Sequence, residues 1–153
     1  MRSTVLARPL AGALVLVTAT ACSSGLPVPP PNPPPTGAAA FGCSAIHGRL
    51  PDRVAGQTVT AITPKSPLTS AWGTPAIILR CGVGVPTALT PTSQLLTVDG
   101  VDWLPEQLTK GYLFTTVGRG INVEVSVPDA YSPEADALAD ISPVIAPLDP
   151  TTG

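Results

Sequence analysis

The clearest pattern along the chain is a strict alternation near its C-terminal third. Ile121, Val123, Val125 and Val127 fall on one side of an extended chain, and Asn122, Glu124 and Ser126 on the other. That is the period of a strand with one buried and one wet face, the habit of an antiparallel sheet, and Pro128 ends it. Tyr112–Val117 precedes it across Gly118-Arg119-Gly120, which predicts a hairpin. Leu95–Val98, Asp99-Gly100 and Val101–Leu104 predict a second hairpin, with Asp-Gly suited to a type I′ turn. Ala76–Val83 is the most apolar strand, with Ile77, Leu79, Cys81 and Val83 on one face and Ile78 and Arg80 on the other. Gln57–Thr63 alternates too and predicts a strand, whereas 64–75 is rich in Pro, Ser and Thr and predicts a loop.

Helical spacing is sparse. Cys43–Leu50 predicts a short helix on Ile46 and Leu50, weakened by Gly48 and stopped by Pro51. Ser132-Pro133-Glu134 is a helix start: a capping hydroxyl, a proline at the first position and an acid in the first turn. Leu138, Ile141 and Ile145 then form an apolar stripe, which Pro143 is expected to kink or shorten. The fold class is α+β: an antiparallel sheet of about five or six strands packed against a C-terminal helix.

The N-terminus has a different character. Arg2 and Arg8 flank a stretch without acids, and Leu10–Ala19 is an apolar run. The run suits a secretory signal and falls short of the roughly 20 residues of a membrane-spanning helix. Ala19-Thr20-Ala21-Cys22 resembles a bacterial lipobox, with Ala19 where leucine is usual. Residues 1–21 then read as a lipoprotein signal peptide and Cys22 as the lipidated residue. The other reading is ordinary cleavage at Ala19-Thr20-Ala21, which leaves Cys22 a free thiol. Residues 22–40 read as a stalk, because seven prolines lie between Pro27 and Pro35. Polyproline II over that span would be about 28 Å long, at about 3.1 Å per residue. The single domain is then 41–148, with 149–153 a disordered tail.

Composition sharpens this. The chain has 153 residues, 44% apolar and 12% charged, enough for one small core. Eight basic residues against ten acidic ones exclude a basic field for nucleic acid. Removing 1–21 takes away Arg2 and Arg8, leaving six basic and ten acidic groups, net −4. An acidic chain gains nothing overall from an anionic membrane, so a covalent tether suits it. Three cysteines are an odd number for an exported protein. Lipidation of Cys22 leaves Cys43 and Cys81 as a pair, and their disulfide would close a loop of about 38 residues, stabilising by roughly 4 kcal/mol. The alternative is a redox or nucleophilic cysteine, although no C-x-x-C is present. Two Cys and one His fall short of a closed zinc set, and neither metal nor cofactor is implied.

Candidate chemistry centres on Arg80, a charge in an apolar strand that needs a partner. One reading pairs it with Glu124 on a neighbouring strand. The other is a shallow pocket for a small anionic ligand, with Trp72 as a wall and Arg119 as a second cation. Arg119 also reads as a solvated turn residue between glycines. His47 has no evident triad partners. Asp136 and Asp140 read as a solvated helix face, and Asp99 and Asp102 lack calcium-loop spacing.

Ala71-Trp72-Gly73, Pro75 and Leu79-Arg80-Cys81-Gly82 resemble a family of exported actinobacterial proteins catalogued as a domain of unknown function. Cys43, Leu50-Pro51, Trp103, Arg119 and Val123-Glu124-Val125 before Pro128 fit the same outline, over 43–145. The resemblance implies a membrane-anchored lipoprotein with paired cysteines, and it implies no activity. The expectation is a non-enzymatic binding or interaction module on the outer face of the cytoplasmic membrane. Its partner would be an envelope protein or a small anionic ligand. The alternatives are a cell-wall-acting enzyme with an unrecognised site and a secreted, non-lipidated protein.

Overall fold

The computed structural model describes residues 25–149. The expected signal peptide over 1–21, the expected lipidated Cys22 and residues 150–153 of the expected tail lie outside the described residues. Ten strands are present among them: β1 (Leu26–Pro27), β2 (Arg53–Val54), β3 (Gln57–Thr58), β4 (Ile62–Thr63), β5 (Thr69–Trp72), β6 (Ile77–Cys81), β7 (Leu96–Val98), β8 (Val101–Leu108), β9 (Gly111–Val117) and β10 (Val123–Val127). Two α-helices accompany them, α1 (Gly37–His47) and α2 (Asp136–Leu148). The main sheet is six-stranded and antiparallel, in the order β5-β6-β10-β9-β8-β7. The fold is therefore α+β with a C-terminal helix, as the sequence predicts.

Period two sorts the sheet into faces. Val123 opposes Cys81 and Val125 opposes both Leu79 and Phe114, so the valines of β10 meet the apolar side of β6 and β9. Those residues form one core with Trp72, Ile77, Val101 and Trp103. The helices cover this core through Cys43 and Ile46 of α1 and Leu138, Ile141 and Ile145 of α2, all buried. The Trp103 indole donates to Ser142 Oγ on α2 at 3.0 Å, so the largest side chain under the helix buries no orphaned N–H. The opposite face carries Ile78, Arg80, Glu124 and Ser126. Between β6 and β7, residues 82–95 carry the chain past three strands to the far edge.

The Cys43–Cys81 disulfide is formed, with a Cα–Cα distance of 5.6 Å. It fastens α1 to the end of β6.

Several elements depart from expectation, each for a physical reason. α1 starts at Gly37 and stops at His47, earlier than Cys43–Leu50. Ala38, Ala39 and Ala40 look like linker but are the best helix formers. The segment 57–63 is interrupted, with β3 and β4 in two separate small sheets. β5 lies within the expected loop because its backbone pairs with β6 from Thr69↔Arg80 to Trp72↔Ile77. α2 begins at Asp136 rather than Ser132, after a short 3₁₀ turn at Asp129–Tyr131. It runs through Pro143 and Pro147 to Leu148, so Pro143 does not shorten it. The apolar stripe against the sheet outweighs the backbone hydrogen bonds lost there.

The largest correction concerns the stalk. From Gly25 onward the proline-rich segment is part of the fold. β1 pairs in parallel with β4, Leu26↔Ile62 and Pro27↔Thr63. The Leu26 N–H donates to Ala61 O at 2.8 Å and the Val28 N–H to Thr63 O at 3.0 Å. Val28 is 2% exposed. Polyproline conformation leaves the carbonyls and the non-proline N–H groups free, so such a run can dock along a partner strand as readily as it can span solvent. The domain thus starts at or before Gly25, not at Phe41. At the other end Asp149 is buried and bonded rather than part of a free tail.

Removing 25–36 is therefore expected to lower the unfolding free energy by at least the ~1.5–3 kcal/mol of a buried valine, read as a fall in the urea midpoint, where loss of a free stalk would leave it unchanged. Replacing Cys43 and Cys81 together by alanine should cost about 4 kcal/mol, read from the same denaturation curves.

Candidate functional site

A cavity of about 510 Å³ lies at Arg80. One wall is Pro31–Thr36, and the other is Gly82–Gly84 at the end of β6. Arg80 and Glu124 form its floor. They are direct cross-strand neighbours, and Arg80 Nη2 lies 2.6 Å from Glu124 Oε1. The arginine side chain is 38% exposed and the glutamate 14%. Arg80 Nε is buried without a hydrogen-bond partner. An ion pair at this depth is worth modest stability while intact, but a lone charge left there is costly.

The proline wall is held by contact. Gly82 has φ +83°, and a Cβ on it would run into the Pro35 ring. Glycine serves both needs at once: the left-handed backbone and the close approach. No motif marks this wall in the sequence. The usable signal is indirect: once Cys43 is tied to Cys81, the residues just before α1 must lie near Gly82.

The three residues expected to share a pocket are not brought together. Trp72 opposes Ile77 on the core face of the sheet, whereas Arg80 is on the other face. Its indole donates to Pro51 O at 2.9 Å, so it is a packed core residue with a satisfied N–H. Arg119 is elsewhere again. Its Nη2 donates to Gly100 O at 2.6 Å and its Nη1 to Asp149 O. Asp149 Oδ2 in turn accepts the Ile121 N–H at 3.0 Å. Arg119 thereby ties the end of α2 to two hairpin turns. Of the two readings of Arg80, the pairing with Glu124 is the one observed.

A second cavity, about 250 Å³, is lined by Leu50, Pro51, Asp52, Val59, Ile62 and Trp72 together with His47 and Ser70. His47 Nδ1 and Ser70 Oγ are hydrogen-bonded at 3.1 Å. Sequence reasoning missed this contact because Ser70 falls in what reads as loop and is delivered by β5. A serine beside an imidazole can act as a nucleophile next to a base. Here the contact uses Nδ1, the nitrogen that an orienting acid usually holds. No salt bridge to His47 is found among the described residues. Asp136 does not pair with Asp140, which instead accepts the Ala55 N–H at 2.8 Å. Asp102 accepts from Thr97 Oγ1 at 2.6 Å across the β7–β8 hairpin, and Asp99 takes φ +46° in its turn. Among the described residues no group of three His, Cys, Asp or Glu side chains is placed to hold a metal ion.

A family model described as "Protein of unknown function (DUF3515)" matches residues 4–152. No curated protein and no solved structure matches the chain.

Arg80→Ala should destabilise the domain by about 1–3 kcal/mol, because Glu124 is left partly buried and unpaired. Arg80→Leu combined with Glu124→Leu should recover most of that loss. A urea-unfolding double-mutant cycle measures both.

Proposed function

The chain belongs to the DUF3515 family of proteins of unknown function, and we propose that it is a lipid-anchored protein of the bacterial cell envelope whose domain is a binding module. The observation that carries the reading is the pairing of Cys43 with Cys81. It accounts for two of three cysteines and leaves Cys22 as the thiol at the end of the apolar run Leu10–Ala19. Structural disulfides persist in oxidising compartments outside the cytoplasm. A signal-like segment ending in a small residue and a cysteine is what lipid transfer requires there. Among the described residues no helix is long and apolar enough to cross a membrane.

The binding role draws on the Arg80 cleft. Its floor presents a cation and an anion side by side beneath a wall of prolines. Such a surface suits a polar ligand or a peptide segment rather than an apolar one. The competing reading, an enzyme acting on cell-wall material, draws on His47 and Ser70. That pair lacks an acid holding the second imidazole nitrogen among the described hydrogen bonds.

Cys22→Ser in the natively expressed chain should move the protein from the membrane fraction to the aqueous fraction, followed by immunoblot and intact mass. Unchanged membrane partitioning would overturn the anchor.

A further inference from the structure

We infer that the segment 49–65, next to the tether, is a docking surface for an anionic lipid bilayer, so that the domain lies down on the membrane instead of standing off it. The inference rests on the proposed lipid on Cys22 and deepens it.

Length comes first. Only Ser23 and Ser24 separate Cys22 from Gly25, and Gly25 already touches the backbone of Ile62 and Thr63. Three residues of extended chain reach roughly 11 Å at most. With β1 hydrogen-bonded to β4, Ile62 is held within about the same distance of the acylated cysteine. A free stalk over Pro27–Pro35 would have allowed about 28 Å more, at 3.1 Å per residue. The prolines instead fold back over β6, so the tether is short.

Charge comes second. The net −4 of the processed chain conceals a partition. Residues 49–65 carry Arg49, Arg53 and Lys65 against Asp52, net +2. Residues 66–149 carry three basic and nine acidic groups, net −6. Arg49, Arg53 and Lys65 are all exposed. Of the other cations, Arg80 is paired with Glu124, Arg119 is bound to carbonyls, and Lys110 is exposed in the turn between β8 and β9. Asp140 reaches the β2–β3 turn through the Ala55 amide and offsets part of the excess, but the sign stays positive. An anionic surface thus attracts the end that carries the tether and repels the remainder, which orients the domain. The screening length of about 8 Å at physiological salt is comparable to the tether, so the field acts at the distances the anchor imposes.

Apolar surface comes third. Val59 lies in the middle of this segment and is 60% exposed. It neighbours Trp72 through a backbone bridge, at the mouth of the cavity that Ile62 also lines. An exposed valine in the segment that carries Arg49, Arg53 and Lys65 suits the headgroup boundary, where charges meet phosphates and an apolar side chain meets acyl carbons.

The test uses the full lipidated chain with an environment-sensitive fluorophore on Val59→Cys, and separately on Gln94→Cys. Gln94 is exposed on the approach to β7, the opposite edge of the sheet. Each is reconstituted on vesicles of phosphatidylglycerol with phosphatidylcholine, and on phosphatidylcholine alone, with spin-labelled lipid as quencher. On the anionic vesicles the label at 59 should be blue-shifted and quenched and the label at 94 should not. On neutral vesicles the difference should shrink. Arg49→Gln, Arg53→Gln and Lys65→Gln combined should abolish it while the protein still floats with the vesicles. Flotation with equal quenching at both positions, or quenching at 59 insensitive to lipid charge and to the triple substitution, overturns the docking surface and leaves the anchor standing. Failure of the lipidated chain to float overturns the anchor itself, and the docking surface with it.

Discussion

One covalent bond decides where the N-terminal third of this domain can go. Cys81 ends the most apolar strand and points to the core face, so whatever it is bonded to must lie against that end of the sheet. Its partner, Cys43, is in the middle of α1. The bond therefore fixes a helix whose own apolar face is narrow, with only Cys43 and Ile46 fully buried. A helix of this length is marginal alone, and closing a loop of 38 residues removes much of the unfolded chain's freedom. With α1 held, Pro35 is brought onto Gly82, and the proline segment before it can only pass alongside Arg80 and Glu124. The cleft is a consequence of the staple.

The same constraint explains the lack of a free stalk. Prolines cannot continue a helix, but they impose no exposure. Here Leu26 and Val28 each keep a backbone N–H, and both donate to the segment around β4. The buried side chain of Val28 supplies what the prolines lack, an apolar anchor in an extended run. A true spacer would have polar residues in those places, because an exposed Leu and Val add nothing to reach.

Much of the sheet was legible in the sequence, because β8, β9 and β10 alternate cleanly or flank turn residues. Val123, Val125 and Val127 mark the core face without reference to any neighbour. The disulfide followed from counting cysteines, and the Arg80–Glu124 pair from the cost of leaving a charge unpartnered on a strand. Other features depend on tertiary pairing that no local window contains. β5 carries Thr, Ser, Ala and Trp with little strand character, and it exists because β6 needs an edge partner. Trp72 reads from the sequence as a wall beside Arg80, yet the pairing of β5 with β6 sets them on opposite faces. His47 and Ser70 are 23 residues apart and meet only because α1 is pinned above β5.

Net charge shows the same limit in another quantity. A sum over the chain treats Arg80 and Arg119 as equivalent to Arg49 and Lys65. In the fold the first two are committed, one to Glu124 and the other to the carbonyls of Gly100 and Asp149. Setting those two aside leaves Arg49, Arg53 and Lys65 exposed on one segment, beside the strand that pairs with β1, and Lys110 exposed at the β8–β9 turn. The acids are spread over the hairpins and α2; Asp102 makes a local bond with Thr97, while Asp140 reaches across to the Ala55 amide in the basic segment and offsets part of its charge. A chain that is mildly acidic overall thus carries one segment, 49–65, of net positive charge and a remainder, 66–149, that is acidic. Which end meets an anionic surface would then depend on where a chain lipidated at Cys22 is held, and the pairing of β1 with β4 would put that point beside the basic segment.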